Sequence, residues 1–432
     1  SFLRRALDEP PRPDARREVL LELGRFEGRT FVPDSVGHLQ SAYELALEPF
    51  ARGHAALNLA RSLLFLGAAD EAASLAGRAA RELPAELADL AQSLEAIEVF
   101  APVFGAEPNA DRLERLLTYR EIDSSAGVGA KALAAVASWN WAVSAGPADR
   151  VCALARAALE GGELLAADGL MSIVATGPLA LADLEEAVVM LEAYRAEAHR
   201  QGAAFRIAGA QIWNGYTQYL RGELGEAESE LRASLETVAL WGLPTHSSAR
   251  TPSSFLAEVL VERGAVGEAR ALLDTATSPP PGSERMILLD RARMRLLLAE
   301  GRLEEALAHA DVYELHAGWK CHPRYVPWRS LKAQALDRLG RHDEAVALAG
   351  DELEIARGWG SPGTVGRSLR VLGTILRADG IEHLEEACAL LERAPARLEY
   401  AKALAALGAA LRRAGMPTEA REPLRRALEL AD

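Results

Sequence analysis

Apolar residues recur along the chain at spacings of three and four, the period of helices that bury one face. Each run stops at similar punctuation. "LLAEGRLEEALAHA", Leu297 to Ala310, places Gly301 after an apolar run and Glu305-Ala306 four and five residues later. The same Gly-x-x-x-Glu-Ala spacing occurs in "LFLGAADEAASLA", "YLRGELGEAESEL", "LVERGAVGEARALL", "DRLGRHDEAVALA" and "RRAGMPTEAREPL". Its glycines are Gly67, Gly222, Gly264, Gly301, Gly340 and Gly415. From Gly222 onward they are 42, 37, 39 and 75 residues apart. A looser copy around Gly380 and Ala387 divides the last interval into 40 and 35. A period of this length marks stacked helix pairs.

Each position in the unit has a physical reason. A helix that ends at positive φ favours glycine, because a Cβ there costs about 1 kcal/mol. The acidic residues that follow (Asp70, Glu71, Glu226, Glu268, Glu304, Glu305, Glu344, Glu419) suit the positive end of the next helix. The alanine, at 72, 227, 269, 306, 345 and 420, lets two helices cross closely. Seven residues before each glycine stands another mostly small residue: Ala60, Gly215, Ala257, Met294, Ala333 and Gly408. Three positions later comes leucine, except at Gln218. Pro84 stands where the helix after Gly67 must stop.

This unit is similar to the tetratricopeptide repeat (TPR). The final copy, "LAALGAALRRAGMPTEAREPLRRALELAD", matches best, with Leu407-Gly408, Gly415, Ala420, Leu424 and Ala427. The expected fold is all-α, a TPR-like α-solenoid of antiparallel helix pairs. It is expected as a single continuous superhelix over 1–432, with N-terminal repeats in 1–84, degenerate helical pairs in 85–203 and regular repeats in 204–432. "SPPPGSE", "WGLPTHSSARTP" and "WGSPGTVG" read as loops between helices. Val, Ile and Thr are too sparse for a sheet.

Charge and cysteine content narrow the function. A net charge of −14 disfavours direct contact with a nucleic-acid backbone by this segment. Cys152, Cys321 and Cys388 are far apart and odd in number, which suits a reducing, cytoplasmic setting rather than a disulfide framework. No apolar run is long enough to span a membrane. The chain begins with Ser, which suggests processing or a piece of a longer protein.

Catalytic and metal-binding patterns are weak. The chain holds no Gly-Lys-Ser or Gly-Lys-Thr phosphate loop, no Gly-x-Ser-x-Gly elbow and no His-Glu-x-x-His pair. "GSPGTVGRS" reads as one helix ending and another beginning. "HAGWKCHPRYVPWRS" gathers His316, Cys321 and His322, at most three ligands and without a paired Cys-x-x-Cys. No enzyme, cofactor or metal is expected in this chain. The aromatics cluster instead: Trp139, Asn140 and Trp141; Trp213, Asn214, Tyr216 and Gln218; Tyr325, Trp328 and Arg329. Such amphipathic rings and amides fill gaps between alanine-rich helices or line a ligand or partner site. Arg250 is a further candidate, a cation for an acidic group.

"RYVPWRSLKAQALDRLGRHDEAVALAGDELEIARGWGSPGTVGRSLRVLGTI" and "LLERAPARLEYAKALAALGAALRRAG" resemble the helical region of large ATP-binding LuxR-type transcriptional regulators of actinobacteria, relatives of the maltose-operon activator. Pro327 to Ser330, Arg357 to Pro362 and Pro395 to Glu399 carry the likeness, which extends over essentially the whole chain. The resemblance implies a sensing and relay region between a nucleotide-binding module and a helix-turn-helix. ATP would then be bound only by the N-terminal module, and the expected partners are an effector small molecule or regulatory protein and the adjoining modules. The alternative is a free-standing TPR scaffold that binds peptide segments of its partners.

Overall fold

The computed structural model describes residues 2–9, 12–29, 34–107, 109–167, 169–240, 249–276 and 283–431. Most of "SPPPGSE" and of "WGLPTHSSARTP" lies outside them. The described residues are predominantly helical, with no strand among them. The first helices are α1 (Phe2–Asp8), α2 (Pro13–Arg29), α3 (Asp34–Leu45), α4 (Pro49–Phe65), α5 (Ala69–Glu82), α6 (Ala88–Phe100) and α7 (Ala110–Thr118). Then come α8 (Val128–Val143), α9 (Ala148–Leu159), α10 (Glu163–Ala167), α11 (Gly169–Leu181), α12 (Glu185–Gln201), α13 (Ala204–Arg221) and α14 (Leu224–Leu240). The rest are α15 (Arg250–Glu262), α16 (Val266–Asp274), α17 (Glu284–Glu300), α18 (Leu303–Ala317), α19 (Trp328–Arg338), α20 (His342–Trp359), α21 (Pro362–Leu376), α22 (Ile381–Leu391), α23 (Arg397–Arg413) and α24 (Arg421–Ala431).

Each helix packs on its sequence neighbours. A second set of contacts joins α4, α6, α8, α11, α13, α15, α17, α19, α21 and α23 into one row. This is the all-α, TPR-like solenoid expected from the repeat.

All six motif glycines hold positive φ, between 72° at Gly301 and 91° at Gly67. At each, the following amide donates to the carbonyl four residues before the glycine, as Arg302 N does to Leu297 O at 3.0 Å. These bonds satisfy carbonyls that the helix end leaves open. The recurring alanines are buried, and they leave no room opposite them: a Cβ on Gly215 would sit 2.6 Å from Leu231 Cγ and 3.2 Å from Ala227 O.

Two turns of the degenerate stretch keep this conformation without glycine. Ala145 (φ 56°) and Asp183 (φ 64°) hold the left-handed position at the ends of α8 and α11. Gly146 N donates to Trp141 O at 2.9 Å, and Leu184 N to Leu179 O at 3.0 Å, the same bond as in the regular units. At the loose copy it is Arg377 (φ 58°), not Gly380, that holds positive φ. Gly380 is needed for a different reason, because a Cβ there would come 2.1 Å from Gly373 O. "GSPGTVGRS" is a helix end and a helix start, with Gly360 closing α20 and the Ser361 hydroxyl capping α21.

The superhelix winds far enough for distant turns to touch. The strap between α18 and α19, Gly318 to Pro327, crosses to α8, where Val143 O accepts from Cys321 N at 2.9 Å and from His322 N at 3.1 Å. Asp183, at the α11–α12 turn, pairs with Arg324 of the strap and accepts from Gly363 N at 3.0 Å. Lys402 of α23 meets Glu262 of α15 at 2.6 Å.

Candidate ligand cavity

The winding brings α4, α6, α8, α11, α13, α17 and the strap around a cavity of about 140 Å³. Its wall is apolar and aromatic, with Phe65, Phe104, Trp139, Phe205, Trp213 and Tyr325 among the lining side chains. The rings meet edge to face: Trp139 lies 5.6 Å from Trp213 and 5.0 Å from Tyr325 between centroids. Such contacts suit the ring quadrupoles and make the wall stiff.

Charged groups enter this wall from the first turn of α17. Glu284 is almost fully buried and accepts from Trp139 Nε1 at 3.1 Å and from Tyr325 Oη at 3.2 Å. Burial raises its pKa, and Lys320, Trp139 and Tyr325 oppose that rise. Arg285 is partly buried, with its guanidinium 4.5 Å from the Phe104 centroid. Desolvation, then the Arg250 charge, lowers its pKa to about 10.

Behind the aromatic wall lies a buried ionic layer. Arg291 Nε donates to Glu258 at 2.7 Å, and its Nη1 donates to Tyr325 O at 3.0 Å and to Tyr216 Oη at 3.3 Å. Tyr216 stacks on Phe255 at 4.3 Å. Arg295 adds a second cation 2.9 Å from Glu258. This layer orients the strap's backbone and hence the Tyr325 ring.

Of the candidate residues, Trp139, Trp213 and Tyr325 line the cavity together. Asn140 lines an adjoining cavity of about 60 Å³ that shares Trp139 and Glu284. Arg250 opens α15 and lies close enough to Arg285 to depress its pKa. Tyr216 is fully buried one layer back, and Asn214 is also buried. The others sit away from the cavity. Trp141 lies under Arg120 and Arg150, at 4.7 and 5.2 Å. Gln218 stands outside the lining, and Trp328 stacks with Arg329 at 4.3 Å near the start of α19. His316, Cys321 and His322 take separate partners: Asp290 at 2.6 Å, Ser144 O at 3.4 Å and the Trp359 ring at 4.5 Å.

Glu284 and Arg285 escape sequence reading because charges in a first helical turn ordinarily face water. Phe65, Phe104 and Phe205 read as ordinary core residues for the same lack of a distinguishing pattern. The one available signal is the Ser283 cap, which fixes where that first turn begins.

No protein-family model matches the chain, and no curated protein matches it in sequence. In structure it is similar to a Rap protein complexed with competence and sporulation factor, with a TM-score of 0.58 at 12% identity, covering 88% of this chain and 97% of that one. At that identity the likeness shows the shared helical-repeat fold. BtubC (BKLC) from P. vanneervenii gives a TM-score of 0.33 at 14% identity, covering 50% of this chain and 90% of that one. The APC/C hetero-tetramer Cut9-Hcn1 gives 0.39 at 13%, covering 96% and 87%. Neither of these last two bears on function. Among the described residues no helix is long and apolar enough to cross a membrane.

Proposed function

We propose that this chain is the effector-sensing and relay region of a LuxR-type transcriptional regulator. The observation that carries this reading is the aromatic cavity inside the superhelix, walled by helices from α4 to α17 and by the strap. A ligand there touches turns that are distant in sequence. Its binding energy therefore differs between tighter and looser windings, which is the requirement for a population shift. The winding in turn sets where the two ends of the solenoid stand, and adjoining modules would read that placement. ATP and DNA belong to those modules, and this chain itself performs no catalysis.

A second reading is a free-standing adaptor that binds segments of other proteins. It draws on the likeness to the Rap protein, whose structure holds competence and sporulation factor. The two readings separate on the mass of the native polypeptide, measured by immunoblot of the source cells against this segment. A band near twice 46.3 kDa or above supports the regulator. A band at 46.3 kDa overturns it in favour of the adaptor.

A further inference from the structure

The cations around the interior fall into two groups. Most are compensated. Arg291 and Arg295 share Glu258, and Arg324 pairs with Asp183. Arg25, on a neighbouring cavity that shares Phe65 and Phe205, meets Glu22 at 3.0 Å. Lys320 has its charge supported by Glu284. Arg285 is different: it lines the apolar cavity, rests on the Phe104 ring, and has no carboxylate partner among the described residues. Among the described residues, the charge of Arg250 acts on it repulsively. Glu284, its sequence neighbour, is turned to Trp139 and Tyr325. A cation in apolar surroundings without an anion is costly, and an anion supplied by a ligand removes that cost.

We infer that the cavity takes a small amphipathic anion, with a ring-sized apolar body against the wall that Trp139 and Trp213 form and a carboxylate on the Arg285 guanidinium. The inference rests on reading the cavity as the effector site. Size sets the body: the cavity measures about 140 Å³, and a dry apolar cavity of about 150 Å³ holds benzene. The head follows from Arg285, whose planar fork matches a carboxylate. An uncharged sugar is disfavoured, because few donors and acceptors face the cavity to replace the water that its hydroxyls would lose.

The test compares 3-phenylpropanoate with 3-phenylpropan-1-ol, which share a body and differ in the head. Calorimetry and quenching of tryptophan fluorescence read binding to the intact chain at neutral pH. The acid is expected to bind at least about tenfold more tightly. Arg285→Met should bring the acid to the alcohol's affinity and leave the alcohol unchanged. Equal affinity of the two probes for the native chain overturns the anion assignment and leaves the cavity reading standing. Binding of neither at millimolar concentration overturns both. The native acid-to-alcohol ratio decides the matter even if the variant fails to fold. Loss of that ratio at high salt would place the anion on exposed charges, also against the inference.

Discussion

Trp139 and Glu284 are 145 residues apart in the chain, yet the indole Nε1–H donates to the Glu284 carboxylate at 3.1 Å. That bond joins α8 to α17 across the interior of the superhelix. It also sets a buried acidic group against an aromatic wall, and the group's titration therefore depends on its burial there and on Lys320, Trp139 and Tyr325.

Burial holds the Glu284 carboxyl above the usual carboxylate range, so the folded chain binds its proton more readily than the unfolded chain does. The associated stability is present at low pH and declines as pH rises through the raised folded value. Glu284→Gln keeps an acceptor and removes the charge. Its stability relative to the native chain is expected to improve between pH 5 and pH 8, by about 1–2 kcal/mol at the upper end. Thermal melts at both pH values check this, and a difference that does not vary with pH refutes it.

His322 moves the other way. Burial, then the Arg324 charge, lowers its pKa to about 3, and neutral Nδ1 accepts from Arg324 N at 3.2 Å. The unfolded chain takes up this proton first, so stability that is complete above pH 6.5 is lost as pH falls toward 3. At pH 5 the loss from this group is about 2 kcal/mol. His322→Asn is expected to remove that part of the acid sensitivity in urea unfolding between pH 7 and pH 5. An unchanged pH slope would show that the ring is protonated without penalty.

The Asp183–Arg324 pair ties the α11–α12 turn to the strap, and Arg324 Nη2 also donates to Leu220 O at 2.7 Å. Removing one partner strands the other charge, so Asp183→Ala is expected to cost about 3–5 kcal/mol. Adding Arg324→Met should recover part of that loss. A double-mutant cycle by chemical unfolding measures the coupling, and strictly additive effects would mean that the pair contributes nothing.

Two glycines make a paired test of the repeat. A Cβ at Gly215 meets Leu231 and the Ala227 carbonyl, whereas one at Gly225 meets nothing within 4 Å. Gly215→Ala should destabilise by about 1–3 kcal/mol. Gly225→Ala should stabilise by about 0.4–1 kcal/mol through the unfolded chain. Melting of the two variants side by side checks the pair, and the opposite order would refute the close-crossing account.

The regular units were legible because their constraints are local. The glycine turn needs one left-handed residue and one small residue opposite it, and both leave a mark at fixed spacing. Two of the degenerate turns were hidden because Ala145 and Asp183 hold the same conformation without glycine. Asp183 is anchored there by Arg324 and by the start of α21, contacts that no local pattern records.

The sequence by itself determined the helices, their pairing and the turns between them, since these follow from apolar period and backbone sterics within some forty residues. It also placed Trp139, Trp213 and Tyr325 among the residues worth watching. Only the tertiary structure decided that these three share one cavity, that Glu284 and Arg285 enter it, and that Trp141, Gln218 and Trp328 do not. The physical reason is accumulation. Each pair turns slightly on the last, and the sum of those small rotations, absent from any single repeat, decides which distant side chains meet.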